Sequence, residues 1–138
     1  MWVRESKDVL IAEEDAESRQ AICEALGLRD LTCDTAPNAK GALECLSLKN
    51  YAIVLLDLGD SCEEVLAALN EPDSRRVSTD RKPIVVVLIS LDTRQSLPVM
   101  GEGVHALLRK PVELPDLVEL VAGCVRIRDE HLARTHSA

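Results

Sequence analysis

The sequence predicts an α/β fold: a three-layer, doubly wound sheet of five parallel strands. Two observations predict it. Short, continuous apolar runs recur along the chain, and between them lie segments whose apolar residues repeat at helical spacing. The alternation begins with a strand and occurs five times, which places a parallel sheet between helices on both faces.

Val9-Leu10-Ile11-Ala12 is the first strand, closed by the acidic triplet Glu13-Glu14-Asp15. A strand covered on both faces needs no polar alternation, so its run is continuous. Asp15 caps a helix from Ala16 to Leu26, with Ile22, Ala25 and Leu26 inside and Gly27 as the stop. Leu31 to Ala36 is the second strand. Asn38 caps the next helix, which runs to about Ser47 with Ala39, Ala42, Leu43 and Leu46 inside. Ile53 to Leu56 is the third strand, ending at Asp57. Ser61 to Asn70 is the third helix, packing through Val65, Leu66 and Leu69. The polar segment 71–82, with Pro72 and no apolar period, is a loop within a domain. Ile84 to Ile89 is the fourth strand, Thr93 to Met100 a short helix, and Ala106 to Arg109 the fifth strand. Leu114 to about Asp129 is the last helix, with Leu117, Leu120, Val121, Cys124 and Val125 facing in. The chain is expected to form a single domain over 1–138, with its core at 8–128 and a frayed tail at 129–138.

Composition narrows the class. The 138 residues are 46% hydrophobic, enough for one core, which must be aliphatic because there is no Phe, one Trp and one Tyr. A net charge of −8 disfavours direct nucleic-acid binding, since phosphates would meet a like-signed surface. The five cysteines are odd in number and form no CxxC pair, so they read as reduced thiols of a cytoplasmic protein. Met1 to Asp8 is too polar for a signal peptide, and no apolar run reaches the ~20 residues of a membrane span. The three histidines read as exposed residues without a metal or nucleophile partner. Gly101 and Gly103 read as turn glycines, since they neither follow a strand nor open a helix.

Ligands of a doubly wound sheet bind at the carboxyl ends of its strands. The first strand brings Glu13, Glu14 and Asp15 there, the third Asp57, the fourth Ser90 and then Asp92, and the fifth Lys110, followed by Pro111. Converging carboxylates repel one another unless a cation joins them. Mg²⁺ suits such a site, because it takes oxygen ligands from one or two carboxylates, water and phosphate. Asp57 could then attack phosphorus, with Lys110 and Ser90 binding the phosphoryl oxygens.

These residues resemble the receiver (CheY-like) domains of two-component response regulators, over about Asp8 to Val125. VLIAEEDAESR (9–19) is similar to that family's first strand, acidic pair and helix start. YAIVLLDL (51–58) is similar to its phosphoacceptor strand, and GVHALLRKPVELPDL (103–117) to its fifth strand, Lys-Pro and final helix. The resemblance implies a flavodoxin-like (βα)5 receiver fold. It implies Asp57 as phosphoacceptor, Glu13 and Glu14 as acids of a Mg²⁺ site, and the backbone carbonyl of Gly59 as a third protein ligand. Ser90 would be the hydroxyl residue and Lys110 the phosphate-binding lysine, with Pro111 after a cis peptide. A histidine kinase or phosphotransfer protein would donate the phosphoryl group. A downstream protein or output domain would read it, and a homodimer could form through the side made by the segment 93–100, the fifth strand and the last helix. The domain would be regulatory rather than an enzyme, assisting only its own phosphoryl transfer and hydrolysis.

The sequence departs from the family at five places, one being the short region between Ser90 and Gly103, which curtails the helix there. Both acids are Glu, GDSCEE after Asp57 is shorter and lacks the usual Pro, Ser90 comes about two residues late, and Leu107 occupies a position that is often aromatic. These departures point to an alternative: a degenerate module that acts by constitutive dimerisation or docking, without efficient phosphorylation. An aspartyl phosphatase of the haloacid dehalogenase type fits less well. Such enzymes carry Asp-x-Asp on the first strand, whereas Asp57 is on the third and Asp60 lies three residues on.

Overall fold

Five strands pair in parallel in the order β2-β1-β3-β4-β5. The computed structural model describes residues 5–70, 83–89 and 104–136, without side chains at 60 and 128–136. In chain order the elements are β1 (Glu5–Glu13), α1 (Ala16–Gly27), β2 (Cys33–Ala36), α2 (Ala39–Leu48) and β3 (Lys49–Asp57). A 3-10 turn (Gly59–Ser61) leads into α3 (Cys62–Asn70), followed by β4 (Ile84–Ile89), β5 (Ala106–Arg109) and α4 (Leu114–His136). This is the predicted doubly wound α/β fold. The segment 71–82, Ser90 and Asp92, the expected helix at 93–100, and Gly101 and Gly103 lie outside the described residues.

Side chains alternate across a strand with a period of two, and here both faces are dry. Leu10, Ala12, Val54, Leu56, Val85 and Val87 pack against α2 and α3. Val9, Ile11, Ile53, Leu55, Val86 and Leu88 pack against Ile22 and Leu26 of α1 and Leu117, Val118, Val121 and Val125 of α4. Two buried faces explain the unbroken apolar runs. The strand order reverses between β1 and β3, so their carboxyl ends flank the crevice where such sheets bind ligands.

Four boundaries differ from expectation. β1 and β3 begin earlier, because Glu5, Ser6 and Lys7 pair with Lys49, Asn50 and Tyr51 in a polar extension of the sheet. Lys49 and Lys7 lie 3.8 and 3.6 Å from Glu5 there, a charge pattern invisible to an apolar count. β2 begins two residues late, because Thr32 donates its N–H and hydroxyl to the Asp8 carboxylate and its hydroxyl accepts the Asp8 N–H. The backbone of α4 stays helical to His136, beyond the expected end at Asp129. No helix among the described residues is long and apolar enough to cross a membrane.

Gly27 is not the left-handed stop that its position suggested. It is the last helical residue, Leu28 caps the helix with right-handed backbone, and Asp30 takes the left-handed conformation at φ 62°. Asp tolerates that region better than most residues because its short side chain bonds locally. A Cβ on Gly27 would meet nothing within 4 Å. Gly27→Ala is therefore expected to stabilise the protein by about 0.4–1 kcal/mol, by restricting the unfolded chain. A raised urea midpoint with an unchanged slope is the expected reading.

Candidate functional site

Register brings the first two acids together. Glu13 and Asp57 are cross-strand partners at the ends of β1 and β3. By alternation both lie on the face of Ile11 and Leu55, towards α1 and α4. Lys110 follows β5, where its N–H donates to the Ile89 carbonyl at 2.8 Å. Its ammonium spans β4 to reach Asp57, Nζ to Oδ2 at 2.5 Å. The Lys110–Pro111 peptide is cis.

The two carboxyls are held differently. Glu13 is 4% exposed. Its Oε1 accepts the Asp15 N–H at 3.0 Å, while its Oε2 is buried with no donor. Burial, and then the neighbouring Asp57 carboxyl, push the Glu13 carboxyl from its ordinary 4.5 up to about 8, against the opposing pull of the Asp15 N–H. Two carboxyls this close repel when both are ionised, so either a proton on Glu13 or a cation beside it relieves the pair. Burial works against the Lys110 charge, yet the Asp57 carboxylate outweighs it and raises the ammonium above its usual range.

Asp15 serves the helix instead. Its carboxylate accepts the Ser18 N–H at 3.0 Å and the Ser18 hydroxyl at 2.7 Å, which caps α1 and lowers the Asp15 pKa. Glu14 is exposed, and no contact brings its side chain to the Glu13–Asp57 pair. Gly59 adopts φ 58°, which glycine allows without strain, and its carbonyl accepts the Cys62 N–H. The loop after Asp57 is thus a single 3-10 turn running straight into α3. Ser90, the expected hydroxyl, lies outside the described residues. Leu107 is half-buried against the α2–α3 side of the core.

Sequence reading missed Arg19. Its Nη1 donates to the Glu13 carbonyl at 2.8 Å and lies 3.5 Å from the Glu14 carbonyl. No motif announces a side-chain bond to a carbonyl six residues back. Beside the acid pair opens a cleft of about 600 Å³, polar at Glu13, Asp57 and Lys110 and apolar at Ile22, Leu114 and Leu117.

The donor set fits a hard divalent cation. Two carboxylates converge from neighbouring strands, and a buried oxygen lacks any donor. Among the described residues no group of three or more His, Cys, Asp or Glu could hold a metal. The fit is therefore to an ion such as Mg²⁺, which keeps waters and shares phosphate oxygens, and not to a closed all-protein cage.

Comparison with known proteins agrees with this fold. No family model matches the chain. The transcriptional regulatory protein PmrA of Pectobacterium parmentieri is 26% identical over 118 residues, covering 86% of this chain and 52% of PmrA. The chain thus spans about half the length of this curated relative. A response-regulator signal receiver domain from Bermanella marisrubri superposes with a TM-score of 0.71 at 25% identity, covering 88% of this chain and 99% of that one. A CheY-like receiver domain from Methanospirillum hungatei gives a TM-score of 0.69 at 20% identity, covering 86% and 96%. The Francisella response regulator 1452 receiver domain gives 0.66 at 20%, covering 88% and 98%. With its 2-1-3-4-5 parallel sheet and these neighbours, the chain has the CheY-like receiver fold of response regulators.

Proposed function

We propose that the chain is a phosphorylatable receiver with Asp57 as its phosphoacceptor. The observation that carries this reading is the Lys110–Asp57 ion pair at 2.5 Å, built beside a register-paired Glu13 at the sheet's switch point. An Asp57 oxygen attacks the phosphorus of a phosphohistidine on a histidine kinase or phosphotransfer protein. The P–N bond breaks, the imidazole leaves, and an acyl phosphate forms on Asp57. Lys110 transfers its ion pair from the carboxylate to a phosphoryl oxygen, a charge-assisted contact present before and after the step. Glu13, Asp57 and the Gly59 carbonyl would hold Mg²⁺. When bound, the ion neutralises charge on the phosphoryl oxygens. The new phosphoryl charge then biases an existing equilibrium on the β5–α4 side, where a downstream protein or output domain docks.

The test is a phosphoryl adduct. Acetyl phosphate with Mg²⁺ is expected to add one phosphoryl group, mapped by mass spectrometry to the peptide holding Asp57, and beryllofluoride is expected to bind in its place. Absence of both would sink the reading. One observation favours the alternative of a docking module without efficient phosphorylation: Glu14 is exposed and does not join the acid pair. Titration with Mg²⁺ separates the two, since that module would bind none at millimolar ion.

A further inference from the structure

We infer that Arg19 is the positioning residue of the acidic turn, acting through the backbone to aim Glu13 at Asp57. The inference rests on the receiver reading for its ion but on geometry for its mechanism. Arg19 stands at the end of the first turn of α1, half-buried, and its guanidinium grips the end of β1 from the helix side. It donates to the Glu13 carbonyl at 2.8 Å and approaches the Glu14 carbonyl at 3.5 Å. The Glu14 carbonyl and the Asp15 N–H belong to one planar trans peptide, so they point in opposite directions. Drawing that carbonyl towards Arg19 turns the Asp15 N–H the other way, onto Glu13 Oε1 at 3.0 Å. With Oε1 engaged, Oε2 is the oxygen left free, buried and without a donor, beside Asp57. The same peptide leads into the Asp15 cap, whose bonds to Ser18 fix the start of α1. Arg19 thus ties the first turn of α1 to the exit of β1 through one nitrogen, Nη1, which faces two successive carbonyls.

The prediction is read on the folded protein. Mn²⁺ binding followed by electron paramagnetic resonance is expected to weaken by about tenfold or more in Arg19→Met, as for other residues that orient metal ligands. Arg19→Lys, which can keep the Glu13 contact, is expected to recover part of the loss. The Asp15 amide proton is expected to shift upfield and exchange faster in Arg19→Met, with or without the ion. A merely structural arginine would lower the unfolding midpoint but leave folded-state affinity and the Asp15 amide alone, and that result would overturn the inference. If the wild type itself binds no Mn²⁺, the metal part of the receiver reading fails, while the Asp15 amide still decides the role of Arg19. Should Arg19→Met not fold, Arg19→Gln and Arg19→Lys carry the same two measurements.

Discussion

Asp57→Asn is expected to abolish phosphoryl uptake completely while leaving the fold intact. The amide has no anionic oxygen to attack phosphorus, and no neighbour replaces it: Glu13 is turned into the protein and protonated, and Glu14 is exposed and apart. The fold should survive, because Asn is nearly isosteric and the ammonium left behind can be solvated. The Lys110 side chain is 40% exposed, so losing its pair costs about 1 kcal/mol or less. Glu13 also carries a readout. Without the Asp57 carboxylate its pKa falls from about 8, yet stays above 4.5, because burial is the larger cause of the shift. Intact mass after acetyl phosphate treatment measures the first effect, and a carboxyl carbon titration by NMR the second. Residual adduct in Asp57→Asn would move the acceptor elsewhere. An unchanged Glu13 titration would mean that the Asp57 carboxylate does not act on Glu13.

Much of this arrangement was legible in the residues. Continuous apolar runs at 9–12, 53–56 and 84–89 announced strands buried on both faces, because no other structure uses so short an unbroken run between helical segments. The strand-end residues Glu13, Asp57 and Lys110 could be named from position alone, since a parallel sheet delivers every carboxyl end to one edge. Three things were not legible. The polar pairing of Glu5–Lys7 with Lys49–Tyr51 extends two strands by backbone bonds and charge, which hydropathy cannot register. The difference between Glu13 and Glu14 depends on where β1 ends: Glu13 is its last residue and buried, whereas Glu14 lies in the bend beyond it and is exposed. The part played by Arg19 depends on the direction of a peptide plane, a property of the turn rather than of any residue in it.

Glu13 makes the metal-free protein lose stability as pH rises through neutrality, the reverse of an ordinary paired carboxylate. The sign follows from proton binding. The Glu13 carboxyl titrates near 4.5 when unfolded and about 8 when folded, so between those values the folded state holds more protons. Its contribution is fully present below 4.5, falls as pH rises, and is gone above 8. The change should be on the order of a few kcal/mol over that interval. A bound divalent ion reverses it, because the ion takes the site of the proton. Ion affinity should therefore climb up to about tenfold per pH unit until Glu13 is ionised. Glu13→Gln removes the proton and the anionic ligand together. It should flatten the metal-free stability profile and lose ion binding at every pH. Urea midpoints taken near the ordinary carboxylate pKa and above 8, each with chelator and with Mg²⁺, test both signs at once. A chelated protein that grows more stable with pH would show that Glu13 is ionised throughout. The two carboxylates would then be held together by Lys110 alone, without a proton on Glu13.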